Sequence, residues 1–149
     1  MMIRLLLIRH AATDASADNL LLGSTDAPAG SSGMAQLNRL PGVLEGYSPS
    51  SWFCSPMLRA LQTAEQLRSL CGIQQIFQVD ERLREIDFGR WERKSFAEIE
   101  KTDPDLIPAW SRYDDFVFPG GEAVAGFTGR VTEVLNELRA AGNREIGIV

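Results

Sequence analysis

His10 is the only histidine in the chain, and it follows Arg9 directly at the end of an aliphatic run, Ile3 to Ile8. A neutral imidazole is a nucleophile or base near pH 7, and a guanidinium beside it can grip an anion through paired N–H groups. The loop beyond His10 is rich in Gly, Ser and Thr, which offer further N–H and hydroxyl donors. A second group is Ser55-Pro56-Met57-Leu58-Arg59. Ser55 reads as a helix N-cap with Pro56 in the first helical position. Arg59, one turn in, would then lean back toward the positive end of the helix dipole, a place for a dianion. The same residues also suit a solvated surface arginine on a well-capped helix. A third group is Leu83 to Glu92, where carboxylates alternate with apolar residues. A carboxyl group partly desolvated beside a phosphate can stay protonated and act as a general acid. An edge strand with outward charges would show the same local pattern.

These groups need elements to hold them. Ile3–Ile8 is nearly continuous in apolar residues and predicts a first strand, buried on both faces of a parallel sheet. Ala11 to Gly33 reads as a long loop leading to a helix with Met34, Leu37 and Leu40, ended by Pro41-Gly42. Trp52–Cys54 predicts a second strand, and the helix opened at Ser55-Pro56 places Met57, Ala60, Leu61, Ala64, Leu67 and Cys71 on one face. Ile76–Val79 predicts a third strand. Weak helical signals follow at Ser95–Glu100 and Asp105–Arg112, and Pro119-Gly120-Gly121 introduces a helix with Val124, Phe127, Val131, Val134 and Leu138 on one face, stopped at Gly142-Asn143. Ile146–Val149 predicts a fourth strand. Strands alternating with helices imply an α/β fold with a mostly parallel central sheet flanked by helices.

The chain has 149 residues, 44% of them hydrophobic and 23% charged, which suits one globular domain. Its 15 basic and 20 acidic residues leave a net charge of −5, so no general positive field holds a nucleic acid or an anionic membrane. Any anion must be held locally, and 13 of the 15 cations are the arginines suited to it. Cys54 and Cys71 have neither zinc-site spacing nor histidine neighbours, so no metal is implied and a reduced, cytoplasmic compartment fits. The apolar N-terminal run is too short to span a membrane.

Together these segments resemble the histidine phosphatase superfamily, the phosphoglycerate mutase-like proteins, and within it the small bacterial phosphatases. Arg9-His10 resembles its Arg-His-Gly signature, followed by Thr13, Gly23-x-x-Asp26-x-Pro28 and Gly33-x-x-Gln36. Ser55-Pro56-Met57-x-Arg59-x-x-x-Thr63-Ala64 resembles its Ser-Pro-Leu-x-Arg-x-x-x-Thr-Ala motif, and Leu83 to Glu92 the segment carrying its acid. Pro119-Gly120-Gly121-Glu122 with Phe127 and Arg130-Val131 resembles a later signature. The resemblance implies that His10 is phosphorylated as the nucleophile, that Arg9 and Arg59 clamp the phosphoryl oxygens, and that Glu85 protonates the leaving alkoxide. Ser16 would join Arg9, His10 and Arg59 on the phosphate, standing where relatives often place Asn. No metal or other cofactor is implied, and the partner is a small phosphorylated substrate, without nucleic acid or membrane.

Departures accompany the matches. Ala11 replaces the signature glycine, and Arg93 replaces the glycine after Trp-Glu. The family carries a second catalytic histidine just after the strand corresponding to Ile146–Val149, so residues 1–149 read as a single histidine phosphatase domain truncated at its C-terminus. The functional expectation is a phosphomonoesterase acting through a phosphohistidine on His10. A phosphoglycerate mutase is the alternative, disfavoured because the stretch from Arg93 to Pro119 is short for an enclosing lid. A non-catalytic phosphate-binding or scaffold protein is a third reading. Trp110, Tyr113, Phe116 and Phe118 are read either as an apolar wall over the site or as core.

Overall fold

The structure, a computed structural model, describes residues 3–112, 115–142 and 145–149, with the side chains of residues 16 and 17 also outside the description. Four strands, β1 (Arg4–Leu7), β2 (Ser51–Cys54), β3 (Phe77–Val79) and β4 (Glu145–Ile148), form one sheet. Their spatial order is β1-β4-β2-β3 and every neighbouring pair is parallel. The α/β expectation holds, and so do the four strands, each within a residue or two of its predicted place. One detail is corrected: β1 lies at an edge of the described sheet, not buried on both faces, and Leu7 is 71% exposed. A short apolar run has the same composition in either position, because edge status depends on which strand pairs with it.

The helices are α1 (Asp14–Ala17), α2 (Ser31–Gln36), α3 (Leu40–Leu44), α4 (Leu58–Cys71), α5 (Phe96–Thr102), α6 (Ile107–Trp110) and α7 (Val124–Ala140). Strand alternation divides the sheet's side chains between two layers. On one face Trp52 and Cys54 pack with Met57, Ala60, Ala64 and Leu67 of the α4 side. On the other, Ile146 packs with Val134 and Leu138 of α7, joined by Leu5 and Phe53. Complete burial of a side chain such as Leu67 or Ile146 contributes about 1.5–3 kcal/mol. A satellite cluster of Ile86, Trp91, Ile99, Phe116, Phe118 and Val124 organises the chain between β3 and α7.

Three expectations about helices change. Pro41 does not end its helix: α2, a 3-10 turn at Leu37–Arg39 and α3 follow in succession, with Pro41 in the first turn of α3, where a missing N–H costs little. The predicted helix over Asp105–Arg112 is two short pieces, a 3-10 turn at Pro104–Leu106 and α6. α4 starts at Leu58 with Met57 as N-cap, so Ser55 lies outside it. No helix among the described residues is long and apolar enough to cross a membrane.

Because all four strands run the same way, their carboxyl ends share one edge of the sheet. The residues that follow them, His10 after β1, Ser55 after β2, Glu85 after β3 and Val149 after β4, line a common cleft of about 410 Å³ there.

Candidate active site

His10 is half-buried, and its Nδ1 lies 2.8 Å from the Ala11 carbonyl oxygen. A carbonyl only accepts, so Nδ1 carries the proton and Nε2 keeps its lone pair. Nε2 receives a hydrogen bond from Arg59 Nε at 3.3 Å. Desolvation lowers the proton affinity of His10 below its ordinary value of 6.5, and the positive charges of Arg59 and Arg9 act in the same direction. They outweigh the Ala11 hydrogen bond and the Glu85 carboxylate, which favour the imidazolium. The ring is a neutral base with one defined nucleophilic nitrogen.

The peptide of Ala11 works from both ends. Its carbonyl sets the His10 tautomer, and its N–H donates to Thr63 Oγ at 2.8 Å, while that hydroxyl donates to the Arg59 carbonyl at 2.7 Å. Thr63 is fully buried, so α4 and the loop after β1 are joined where water does not compete. Gly33 lets α2 approach the same loop, since a Cβ there would stand 2.3 Å from the Ala12 carbonyl oxygen and 2.5 Å from its nitrogen.

Arg59 is only 2% exposed, which rules out the surface reading. NH1 donates to the Thr25 carbonyl at 3.0 Å and NH2 to the Gly23 carbonyl at 2.9 Å. With Nε on His10, three of the five guanidinium N–H groups are engaged and two remain for an anion. Burial lowers the Arg59 pKa, opposed by the negative charges of Glu85, Asp26 and Glu92. The loop that offers the two carbonyls is held by Glu92, which accepts from Ser24 N at 2.6 Å, from Ser24 Oγ at 2.7 Å and from the Thr25 hydroxyl. Burial alone would raise the Glu92 pKa, but these hydrogen bonds carry it below the usual value.

Glu85 is half-buried, borders the cleft beside His10 and Arg59, and accepts from the Ile86 N–H at 2.9 Å through Oε1. Arg9 is exposed and lines the same cleft. His10, Arg9, Arg59 and Glu85 are therefore gathered in one place. Ser16 falls in α1, but its side chain is among those outside the described residues. The expected Ser55 cap is replaced from a distance: Asp26 Oδ1 accepts from Leu58 N, the first helical N–H of α4, at 2.6 Å. Trp110, Phe116 and Phe118 pack around Trp91 with ring centroids 5.3, 5.5 and 5.7 Å away, so they belong to the satellite core and not to a wall over the cleft. Tyr113 lies outside the described residues. Among the described residues no three His, Cys, Asp or Glu side chains converge to hold a metal ion.

Sequence reasoning missed the supporting roles of Thr63, Glu92 and Asp26. Thr63 stands four residues after Arg59, the helical spacing that puts both on one face, and that was the available signal. Glu92 acts across 68 and 67 residues of chain on Ser24 and Thr25, and Asp26 across 32 on Leu58, with no local sign.

Residues 5–149 match the histidine phosphatase superfamily, branch 1. The chain is 32% identical over 136 residues to the adenosylcobalamin/alpha-ribazole phosphatase of Escherichia coli K12, an alignment covering 91% of this chain and 66% of that protein. Thus the chain spans just under two thirds of that relative's length. In three dimensions it is similar to the alpha-ribazole phosphatase of Shigella flexneri, with a TM-score of 0.85 and 29% identity over 99% of this chain and 73% of that one. It is similar also to a mycobacterial glucosyl-3-phosphoglycerate phosphatase solved with VO3, with a TM-score of 0.83 and 29% identity over 99% of this chain and 75% of that one.

Proposed function

The chain belongs to the histidine phosphatase superfamily, and on that footing we propose that it is a phosphomonoesterase that hydrolyses a small phosphorylated metabolite through a phosphohistidine on His10. The observation that carries this reading is the state of His10: neutral, with its Nδ1–H donating to the Ala11 carbonyl and its Nε2 accepting from Arg59, and with the positive charge of Arg9 nearby. Nε2 attacks phosphorus and the bond to the ester oxygen breaks. Glu85 gives its proton to the departing alkoxide. Arg59 and Arg9 neutralise charge on the equatorial oxygens as it spreads over them. Glu85 then takes a proton from water as the water attacks the phosphohistidine, the P–N bond breaks, and phosphate and neutral His10 are regenerated.

Hydrolysis is favoured over transfer to a bound acid because, among the described residues between Arg93 and Pro119, none lines the cleft, and Ile99, Trp110, Phe116 and Phe118 pack into the satellite core instead. The site is thereby left accessible to water. The test is label transfer from a radiolabelled phosphomonoester followed by an alkaline quench. The reading expects acid-labile label on His10, release of inorganic phosphate, and loss of both in His10→Ala by several orders of magnitude, since no second histidine in the chain substitutes. Label surviving in His10→Ala, or binding without any label, overturns it.

A further inference from the structure

We propose that Arg130 is the positioning residue for Glu85, an inference that rests on the reading of Glu85 as the acid. Arg130, in the second turn of α7, donates from Nε and NH2 to the two carboxylate oxygens of Glu122, each at 2.9 Å. Its NH1 donates to the carbonyls of Arg82 at 2.6 Å and Arg84 at 2.5 Å, and NH2 also donates to the Glu85 carbonyl at 3.4 Å. All five guanidinium donors are therefore engaged, in contrast with Arg59, and none is left for a phosphate. What Arg130 holds is the main chain that carries Glu85. That segment leaves the 3-10 turn Glu81–Leu83 and forms no strand or helix before Gly89, so no ladder fixes it. The clamp is itself anchored. Glu122 N donates to the Asp87 carbonyl at 2.9 Å, and the Arg130 guanidinium lies 4.9 Å from the centre of the Phe127 ring. Gripping carbonyls at 82, 84 and 85 fixes where the Glu85 backbone enters the cleft, while the Ile86 N–H holds one carboxylate oxygen. Proton transfer depends steeply on that placement.

The test measures how fast His10 is phosphorylated by an alkyl phosphate and by p-nitrophenyl phosphate, whose phenolate leaves with little protonation. Glu85→Gln is expected to slow the alkyl ester about a hundredfold or more and the aryl ester far less. Arg130→Met, which keeps an apolar stem on Phe127, is expected to reproduce that selectivity, slowing the alkyl ester about tenfold or more and the aryl ester less than about threefold. The double variant should be no slower on the alkyl ester than Glu85→Gln alone, because Arg130 acts through Glu85. Equal slowing of both esters in Arg130→Met, or additive losses in the double variant, overturns the inference while leaving the acid assignment intact. Absence of selectivity in Glu85→Gln removes the acid assignment itself. If Arg130→Met does not fold, as judged by circular dichroism, Glu122→Gln weakens the same clamp with Arg130 retained. Selective slowing of the alkyl ester then supports the role, and uniform slowing or no effect overturns it.

Discussion

His10 and Arg59 illustrate how a pair of side chains acquires chemistry from its immediate surroundings. The imidazole sits beside two cations and partly out of water, and both conditions penalise the imidazolium. Since the folded value lies below the ordinary 6.5, the unfolded chain binds more protons than the folded one as pH falls through 6.5, and the nucleophilic form persists into mildly acidic solution. The chain has a single histidine, so its titration by nuclear magnetic resonance is free of overlap. We expect a midpoint below 6.5, the Nδ1–H tautomer on the alkaline side, and a higher midpoint in Arg59→Gln, where one of the repelling charges is gone. A wild-type midpoint at or above 6.5 would contradict the account of the site. Burial also gives Arg59 a structural duty, because two carbonyls depend on its fork and a lysine would satisfy them poorly.

At the level of elements, the site is held by loops, and the loops are held by side chains from elsewhere. Leu21 to Thr25 is tied to the segment after β3 by Glu92 and by the Arg93 N–H, which donates to the Leu21 carbonyl at 2.6 Å. Arg93 pays for this link with a φ of +59°, in the left-handed region where a Cβ is unfavourable. It is the position at which the family signature has glycine, and the backbone explains that preference. We expect Arg93→Gly to keep the turn and to raise stability by about 0.5–1 kcal/mol, seen as a higher urea midpoint with an unchanged slope. Lower stability in the variant would show that the arginine side chain contributes more than its backbone strain removes. α4 teaches a related lesson. Its apolar face follows the predicted spacing, yet its buried polar residues Arg59 and Thr63 turn the remaining face toward the loop after β1.

Across the whole molecule, several carboxylates are more acidic than usual because native hydrogen bonds hold their charged forms. Arg90, with the Trp91 indole N–H, lowers Asp103 to about 2 from 3.8, the Arg130 fork lowers Glu122, and Arg82 lowers Asp80. With Glu92 they connect the satellite core, the Glu85 segment and the Arg59 loop. Depressed folded values mean that the stabilisation is complete above the unfolded values of 3.8 and 4.5 and is lost as pH falls through the folded ones. His10 acts in the same direction from 6.5 downward. The urea midpoint should therefore decline gently below pH 6.5 and steeply from 4.5 toward 2, and Asp103→Asn should flatten the steep part. A midpoint independent of pH over that lower window would show that these contacts do not carry stability.

Periodicity and breakers alone determined the alternation of strands and helices, hence a parallel sheet, because burial on one face imposes a period that the chain must display. Motif spacing likewise determined the candidates His10, Arg9, Arg59 and Glu85, each of which follows a strand or opens a helix. The tertiary structure decided the rest. Sheet order placed β1 at an edge and brought the four strand ends together, and no local pattern encodes which strands become neighbours. It made Arg59 buried instead of solvated, since its carbonyl partners lie 34 and 36 residues away in sequence. It sent the aromatics Trp110, Phe116 and Phe118 to a core and not to the cleft, a choice that composition leaves open because the same rings suit both. It also moved the cap of α4 from Ser55 to Asp26, because a carboxylate delivered by a folded loop reaches the first N–H of the helix better than the adjacent hydroxyl does.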